Sequence, residues 1–262
     1  TASDNIGIES VRVEYRINGV DQEAIKLNAE LENYNVELHL PANLSAQDVI
    51  EYRLIAEDFS SRKNKKYSPS KGFYNVQIIE TLAPVTSFAT DFNSVSNDFT
   101  TSDFDITTPA GFSSNNLHTN HPYEESDIAD KKYNLIAQLN HPIILKENGE
   151  MTFDEVVLVE PGEIGTDFTE ELFWDFVIVE GSKDNGKTWH PFADGYDSSV
   201  SETWETKFSN TLKSSVSSAA GDESMFLENR INLTENEFFA AGDTVLFRFR
   251  LASDNSVTGW GW

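Results

Sequence analysis

Alternating apolar and polar side chains dominate the first part of the chain. In residues 8–17, 34–40 and 49–56, apolar residues recur at nearly every second position, which is the pattern of half-buried strands. Asn18-Gly19 follows the first of these segments and is typical of a hairpin turn. A further strand is predicted over residues 73–78. Short strands separated by turn signals predict an immunoglobulin-like β-sandwich.

The rest of the chain has the same pattern of short predicted strands separated by turn residues, over a longer stretch of sequence. Gly, Ser, Asn and Asp interrupt it at short intervals, and a helical turn is indicated only weakly, at residues 208–216. In the last predicted strand Arg248 and Arg250 occupy the polar face, where we expect them to pair with carboxylates. The pattern predicts an all-β chain whose second part is a larger jelly-roll sandwich. Its strands are predicted at residues 133–139, 155–159, 173–180, 189–192, 226–232 and 243–251.

The charge of the chain changes near residue 80. Residues 1–80 contain 13 acidic and 9 basic side chains, a net charge of −4, whereas residues 81–262 contain 31 and 10, a net charge of −21. Pro84 restricts Ala83 to extended backbone, as in a linker. We therefore expect two domains, residues 1–81 and residues 82–262.

The total charge of −25 and the absence of cysteine limit the classes of function. A nucleic-acid partner is not expected, because a phosphate backbone requires a basic face. Without cysteine the chain has no disulfide, thiolate zinc site or cysteine nucleophile. No apolar run approaches the roughly 20 residues of a membrane helix, so membrane insertion is not expected. The chain begins at Thr1 without a charged and then apolar leader, as a mature form or an excised fragment would.

One local motif is specific. Residues 182–189 read Ser-Lys-Asp-Asn-Gly-Lys-Thr-Trp and fit the pattern known as an Asp-box. Asn185-Gly186 supplies the left-handed turn residues, Asp184 is expected to accept bonds from turn amides, and Trp189 to pack over the turn. Local turn chemistry accounts for every residue of the box, so we interpret it as a structural element and not as a catalytic one.

A wider resemblance rests on several segments of the chain. In residues 85–262 they are EVVLVEPGE (155–163), FWDFVIVEGS (173–182), DGY (194–196), GDTVLFRFRLASD (242–254) and GWGW (259–262), and in the first part they are YRLIAED (52–58) and SPSKGFY (68–74). Residues 85–262 are similar to jelly-roll modules of the MAM type and of immune-inhibitor-A-type metalloproteases, and the first part resembles the immunoglobulin-like or fibronectin-like modules that precede them. Family members usually continue past the Gly-Trp motif into one more strand, whereas this chain stops at Trp262.

The resemblance implies a function as well as a fold. Such modules occur in large secreted bacterial surface proteins, often those with a type IX secretion sorting tail. It implies an extracellular or cell-surface location and a non-catalytic role in adhesion, in glycan or protein binding, or as a spacer. Small animal extracellular domains usually depend on disulfides, so the lack of cysteine also favours a bacterial source. The alternative is a pair of accessory domains from a secreted metalloprotease or other hydrolase whose catalytic domain lies elsewhere.

Calcium is the candidate cofactor. It takes six to eight oxygen ligands from carboxylates and carbonyls, and extracellular jelly rolls often hold one structurally. The candidate ligands are Asp91 near the first strand of the second part, Glu160 and Glu163 on either side of a Pro-Gly turn, and Asp254 near the final strand. The alternative for the turn is a solvated acidic loop. His118 and His121 are spaced for a transition metal, but no third ligand is fixed by spacing, and packing is the preferred interpretation.

Aromatic residues in polar, turn-rich segments are candidates for a sugar platform, because pyranose faces stack on aromatic rings. Trp204, Tyr196 and Tyr123 meet this description, with ordinary packing as the alternative. Trp174 is expected in the core, and Trp260 and Trp262 at the end of the sandwich.

Nothing in the sequence favours catalysis. It contains no His-Glu-x-x-His, Gly-x-Ser-x-Gly, phosphate loop or nucleotide fingerprint. Among so many acids some pair always resembles an acid and a base, so carboxylates alone do not identify a glycosidase. The expected partners are a polysaccharide, a surface protein or other domains of the same parent chain.

Overall fold

The computed structural model describes residues 5, 7–27, 29–30, 33–34, 38, 40–45, 48–76, 78–126 and 132–262. The chain forms two compact units, Thr1–Glu80 and Thr81–Trp262. Both are built from strands, with one α-helix among the described residues. The prediction of an all-β sandwich class is therefore confirmed.

The first unit is organised around two long paired strands. β1 runs antiparallel to β6 in a sheet of order β2-β1-β6-β7. Because alternate side chains of β1 point to one face, Val11 and Val13 are buried together with Leu27. Asn18 and Gly19 have positive φ angles of 52° and 75° and close the turn after β1, as the sequence predicted. The strands are β1 Ile8–Ile17, β2 Val20–Asp21, β3 Ile25–Leu27, β4 Ala29–Glu30, β5 Asn33–Tyr34, β6 Ile50–Asp58, β7 Lys65–Ser68 and β8 Tyr74–Val76.

One predicted strand lies partly outside the described residues. Residues 35–37 and 39 of the segment 34–40 lie outside the described residues. The immunoglobulin-like topology of this unit stays a prediction.

The second unit contains the larger core. Its strands are β9 Phe99–Ser102, β10 Phe104–Thr107, β11 Asn116–Thr119, β12 Tyr133–Ile144, β13 Glu150–Glu155, β14 Phe176–Ser182, β15 His190–Pro191, β16 Leu212–Lys213, β17 Val216–Ser217, β18 Leu227–Asn232 and β19 Thr244–Ser253, and its helix is α1 Glu202–Thr211. A five-stranded sheet has the order β15-β14-β19-β12-β9. Phe247 and Leu251 of β19 pack in one core with Ile231 of β18 and with Trp204 and Phe208 of α1. The sheet is thus covered by a second layer on its apolar face.

The polar side chains of β19 form the ion pairs that the alternation predicted. Arg248 and Arg250 both donate to the carboxylate of Glu180 on β14, over 2.7 and 2.8 Å. Burial alone would raise the pKa of Glu180, but the hydrogen bonds and charges of Arg250 and Arg248 outweigh it and leave the pKa below its usual value. The guanidinium of Arg248 also lies 4.2 Å from the ring centre of Trp189.

The Asp-box has the predicted local geometry. Asp184 accepts the amide and the hydroxyl of Thr188 over 2.9 and 2.7 Å, and the hydroxyl of Ser182 over 2.8 Å. The indole of Trp189 donates to the carbonyl of Gly186 over 3.1 Å. These bonds are all local to the turn, so the box stabilises a hairpin.

Three predictions of local structure need correction. Residues 155–159 do not form the predicted strand, because β13 ends at Glu155. Residues 156–159 are a buried segment, and the only described β-bridge within it joins Leu158 to Gly261. The helix lies earlier than residues 208–216, because Trp204 and Phe208, one turn apart, form its buried face. Trp174 is half-buried and not in the core, since β14 begins two residues after it.

Candidate functional site

The ends of two paired strands bring two carboxylates together in the second unit. Phe176, the first residue of β14, is paired with Ala252 of β19 in an antiparallel register. Asp175, directly before β14, therefore lies beside Asp254, directly after β19. The amide of Asp254 donates to Oδ1 of Asp175 over 2.7 Å.

Glu160 completes a group of three acids. It follows the buried run of residues 156–159, which anchors its backbone in the core. Glu160, Asp175 and Asp254 each offer one carboxylate oxygen, and these three atoms lie within 4.8 Å of one another. We call these three residues the acidic cluster.

Tyr123 joins two members of the acidic cluster. Its hydroxyl donates to Oδ2 of Asp175 over 2.6 Å and accepts the amide of Glu160 over 3.2 Å. The side chain is 2% exposed, so burial, followed by the charge of Asp175, raises its pKa well above the usual value. Tyr123 therefore remains a neutral donor that holds Asp175 in place.

The acidic cluster carries more negative charge than its surroundings offset. Burial, and then the negative charges of Asp175 and Asp254, raise the pKa of Glu160 to about 8. Burial raises the pKa of Asp175 to about 7, against the opposing effect of its hydrogen bonds from Tyr123 and Asp254. In the folded chain Glu160 and Asp175 therefore retain protons near neutral pH.

One oxygen of the cluster lacks a partner. Oε2 of Glu160 is buried and makes no hydrogen bond with the described residues. The nearby ammonium of Lys132 lowers the pKa of both Glu160 and Asp175, but its described hydrogen bonds go to the carbonyls of Phe173 and Trp174. A buried carboxylate oxygen without a partner is costly, so the site favours a proton or a cation at this position.

The structure brings together two of the four predicted calcium ligands. Glu160 and Asp254 belong to the acidic cluster. Glu163 is exposed further along the same loop and reaches the cluster only through its charge, which raises the pKa of Glu160. Asp91 lies on a separate exposed loop and accepts the amide of Asn93 over 3.0 Å. Asp91 and Glu163 are not part of this group, and their role as calcium ligands stays a prediction.

Asp175 is the member of the cluster that the sequence did not identify. It is the single acid in the otherwise apolar segment Phe173–Phe176, and it is completely buried. A charged residue in such a run was the available signal, but its contact with Asp254 depends on the register of strands far apart in sequence.

The prediction of an exposed aromatic platform is wrong for two of its three residues. Trp204 is 1% exposed, because it lies on the buried face of α1, and its indole donates to the carbonyl of Met225 over 3.0 Å. Tyr123 is buried beside the acidic cluster. Neither ring offers a face on which a sugar could stack.

Tyr196 is half-buried and takes part in a second polar network. Its hydroxyl donates to Glu155, which also accepts the amide of Asn229 over 2.8 Å and the indole of Trp262 over 2.6 Å. Burial raises the pKa of Glu155 against these three opposing hydrogen bonds. Glu155 and Tyr196 line a surface groove of about 370 Å³.

The histidine pair serves packing. The ring of His121 stacks between His118 and Trp260 at centroid distances of 5.0 and 4.4 Å. Both ring nitrogens of His118 are within hydrogen-bond distance of protein oxygens, 2.7 Å from Thr107 and 2.8 Å from Thr119. Trp260 and Trp262 are both buried, as predicted.

Comparisons with known protein families, curated proteins and solved structures found no match to this chain. Among the described residues, no helix has the length and apolar character needed to cross a membrane. The acidic cluster and the groove are the two candidate sites of the second unit.

Proposed function

We propose that the chain is a pair of non-catalytic β modules from a secreted or cell-surface bacterial protein, serving adhesion, binding or spacing, and that a calcium ion at the acidic cluster stabilises the second unit. The unpartnered buried oxygen of Glu160 carries the calcium part of this proposal. The net charge of −25 and the absence of cysteine support the proposed location.

The acidic cluster offers ligands that suit a hard divalent cation. All three of its side chains offer carboxylate oxygens, the ligands that calcium prefers. A divalent cation would provide Oε2 of Glu160 with a partner and would stabilise the charged forms of Glu160 and Asp175, whose pKa values are raised first by burial and then by neighbouring carboxylates. It would also tie together three chain segments, which hold residues 160, 175 and 254.

The same geometry argues against acid–base catalysis by these groups. Asp175 is completely buried, and both of its oxygens accept hydrogen bonds from the protein, from Tyr123 and from Asp254. A catalytic acid or base must reach the proton of a bound substrate. Two acids with raised pKa values are therefore better explained by a site for a cation than by a reaction centre.

Thermal unfolding in EDTA and in calcium tests the proposal. With calcium at about one hundred times its dissociation constant, the folded state gains about 2.7 kcal/mol, a rise in Tm of about 5–10 °C for a unit of this size. Asp254→Asn and Glu160→Gln should abolish that rise. Asp91→Asn is the matched control, because it removes an acid outside the cluster, and should keep it.

Glu160→Gln also distinguishes a lost site from a damaged fold. In EDTA at pH 8.5 it should be more stable than the unmodified chain, because it removes a partly buried negative charge beside Asp175 and Asp254. A variant that is stable in EDTA but insensitive to calcium supports the proposal. An equal calcium response in all four proteins would overturn it.

A further inference from the structure

Strand β18 is paired along one side only. Its single partner strand among the described residues is β13, and the register pairs Ile231 with Met151. One register position beyond the ladder, the amide of Leu233 donates to the carbonyl of Gly149 over 2.8 Å. Residues of an antiparallel pair exchange hydrogen bonds at every second position, so Ile231 and Asn229 are bonded to β13.

The backbone groups of Glu228 and Arg230 therefore point away from β13. Within the described part of the chain, neither residue makes a hydrogen bond through its amide or its carbonyl to any other segment. Donors and acceptors that alternate along a strand in this way form an open sheet edge. The main chain of another extended polypeptide is the ligand that matches such a row.

The groove of about 370 Å³ follows this open edge. Its lining includes the five consecutive residues Leu227–Ile231, so it extends along the strand. Of β13 only the last residue, Glu155, takes part, whereas Tyr196, Val200 and Trp204 line the groove from other segments. The groove therefore leaves space beside β18 on the side that β13 does not occupy.

The floor of the groove is fixed. Glu155 is 6% exposed and accepts the hydroxyl of Tyr196 and the amide of Asn229, each over 2.8 Å. The backbone of Tyr196 is also bonded to Val177 over 2.8 and 3.0 Å. A network with these partners in place requires little ordering when a ligand binds, so the groove is pre-formed.

Two apolar side chains at the groove are uncovered. Because side chains alternate along a strand, Leu227 shares the inner face of β18 with the buried Ile231, while Glu228 and Arg230 project from the outer face. Leu227 is nevertheless 45% exposed, and Val200, which also lines the groove, is 58% exposed. A strand added beside β18 would cover both with its own inward side chains.

The charged side chains of the outer face are paired with one another. Arg230 donates to Glu228 over 2.7 Å and also to Glu150 of β13. Because these charges already have partners, the edge offers main-chain hydrogen bonds and apolar contacts to a ligand, and not a free charge.

We infer that β18 binds a short extended segment of a partner protein, which adds a third strand to the β13–β18 sheet. Its main chain would pair with Glu228 and Arg230, and apolar side chains at alternate positions would enter the groove over Leu227 and Val200. In strand addition of this kind the main chain supplies affinity and the pockets for alternate side chains supply specificity. The inference rests on the binding role proposed above and is independent of calcium, since no acid of the acidic cluster lines the groove.

Amide hydrogen exchange of the whole chain, followed by NMR, tests the inference with two peptides. The probe is acetyl-Lys-Thr-Val-Thr-Val-Thr-Lys-amide, and the control has the same side chains but N-methylated amides at its five central residues. At saturation the probe should slow the exchange of Glu228 and Arg230 at least about tenfold, and the control should not. The amides of Asn229 and Ile231 are the internal reference, because their bonds to β13 should keep them slow throughout.

A matched pair of variants makes the test specific. Arg230→Pro removes the outward N–H, a change that edge strands tolerate where this group faces solvent. It should abolish the slowing at Glu228, whereas Arg230→Ala loses the same side chain, keeps the N–H and should retain the slowing. Slow exchange at Ile231 shows that the pairing with β13 survives. If Arg230→Pro loses it, Val200→Asp decides, because a charge in the apolar part of the groove should weaken the probe at least about fivefold.

Four results would overturn the inference. They are slow exchange of Glu228 and Arg230 in the free chain, equal effects of the two peptides, an unchanged response to the probe in a folded Arg230→Pro or in Val200→Asp, and slowing by a neutral glucan oligosaccharide but not by the probe. Slowing that grows with the concentration of the chain alone would overturn it too, since the occupant would then be a second copy. Titrations in EDTA and in calcium keep the two proposals apart, because the probe should act equally in both.

Discussion

Asp175 accepts the backbone amide of Asp254 over 2.7 Å, at the point where β14 begins and β19 ends. The contact is set by the antiparallel register of these two strands, in which Phe176 is paired with Ala252. With Glu160 it gives the second unit a compact group of three acids. Strand register, and not a local motif, creates this site.

The stability of the second unit in EDTA should fall as the pH rises from about 4 to about 8. The folded chain raises the pKa of Asp175 to about 7 and of Glu160 to about 8, whereas the unfolded chain releases both protons near pH 4. Between these values the folded state binds more protons than the unfolded state. The stability that these two groups contribute is therefore fully present below about pH 4 and is lost as the pH rises through their folded pKa values. Urea unfolding at a series of pH values measures this slope.

Calcium should flatten that profile, because a bound cation replaces the protons. Glu160→Gln should reduce the slope even in EDTA, since it removes one of the two titrating groups. A profile in EDTA that rises with pH over this range would contradict the electrostatic description of the acidic cluster.

Tyr123→Phe should destabilise the second unit by about 1–3 kcal/mol, the cost of leaving buried polar groups without a partner. The lost hydroxyl donates to Asp175 and accepts the amide of Glu160. Tyr133→Phe is the matched control, because the hydroxyl of Tyr133 donates to Asp103 at an exposed position. Urea unfolding should show a much smaller change for the control, and equal losses would argue against a special role of Tyr123.

Glu155→Gln should destabilise the second unit by about 1–3 kcal/mol. Glu155 accepts hydrogen bonds from Tyr196, Asn229 and Trp262, and an amide nitrogen in place of one oxygen would face donors. Glu150→Gln, on the same strand but exposed, should cost little. Chemical denaturation followed by tryptophan fluorescence measures both. If Glu155→Gln left the free energy of unfolding unchanged, the network under the groove would not be rigid.

Asp184→Ala should lower the Tm of the second unit without changing its response to calcium. The carboxylate accepts hydrogen bonds from Thr188 and Ser182 within the hairpin, and those from Thr188 hold its pKa at about 2. Loss of the calcium response in this variant would show that the Asp-box is coupled to the acidic cluster.

The sequence predicted those parts of the fold that depend on local pattern. Period-two alternation located β1 and β19, and turn chemistry located the Asp-box hairpin. The buried run at 156–159 was mistaken for a strand, because an apolar segment of this length has no periodicity that separates a paired strand from a buried connection. Trp204 was expected to be exposed because its neighbours are polar, but helix α1 turns it and Phe208 to the same buried face.

The candidate site was predicted in part for the same reason. Glu160 lies next to a turn and Asp254 next to a strand end, and the local sequence shows both as positions suitable for a calcium ligand. Asp175 joins them only through the pairing of β14 with β19, whereas Asp91 is not a member of this group. Long-range register is the information that the sequence pattern lacked.

Calcium binding by the second unit is measured by isothermal titration of the whole chain at pH 7, repeated in two buffers of different ionisation enthalpy. We expect one calcium ion to bind with a release of protons that declines towards pH 9, and we expect Asp254→Asn not to bind calcium. The acidic cluster is not a calcium site if the unmodified chain binds no calcium, or if calcium binds without proton release and binds Asp254→Asn as well.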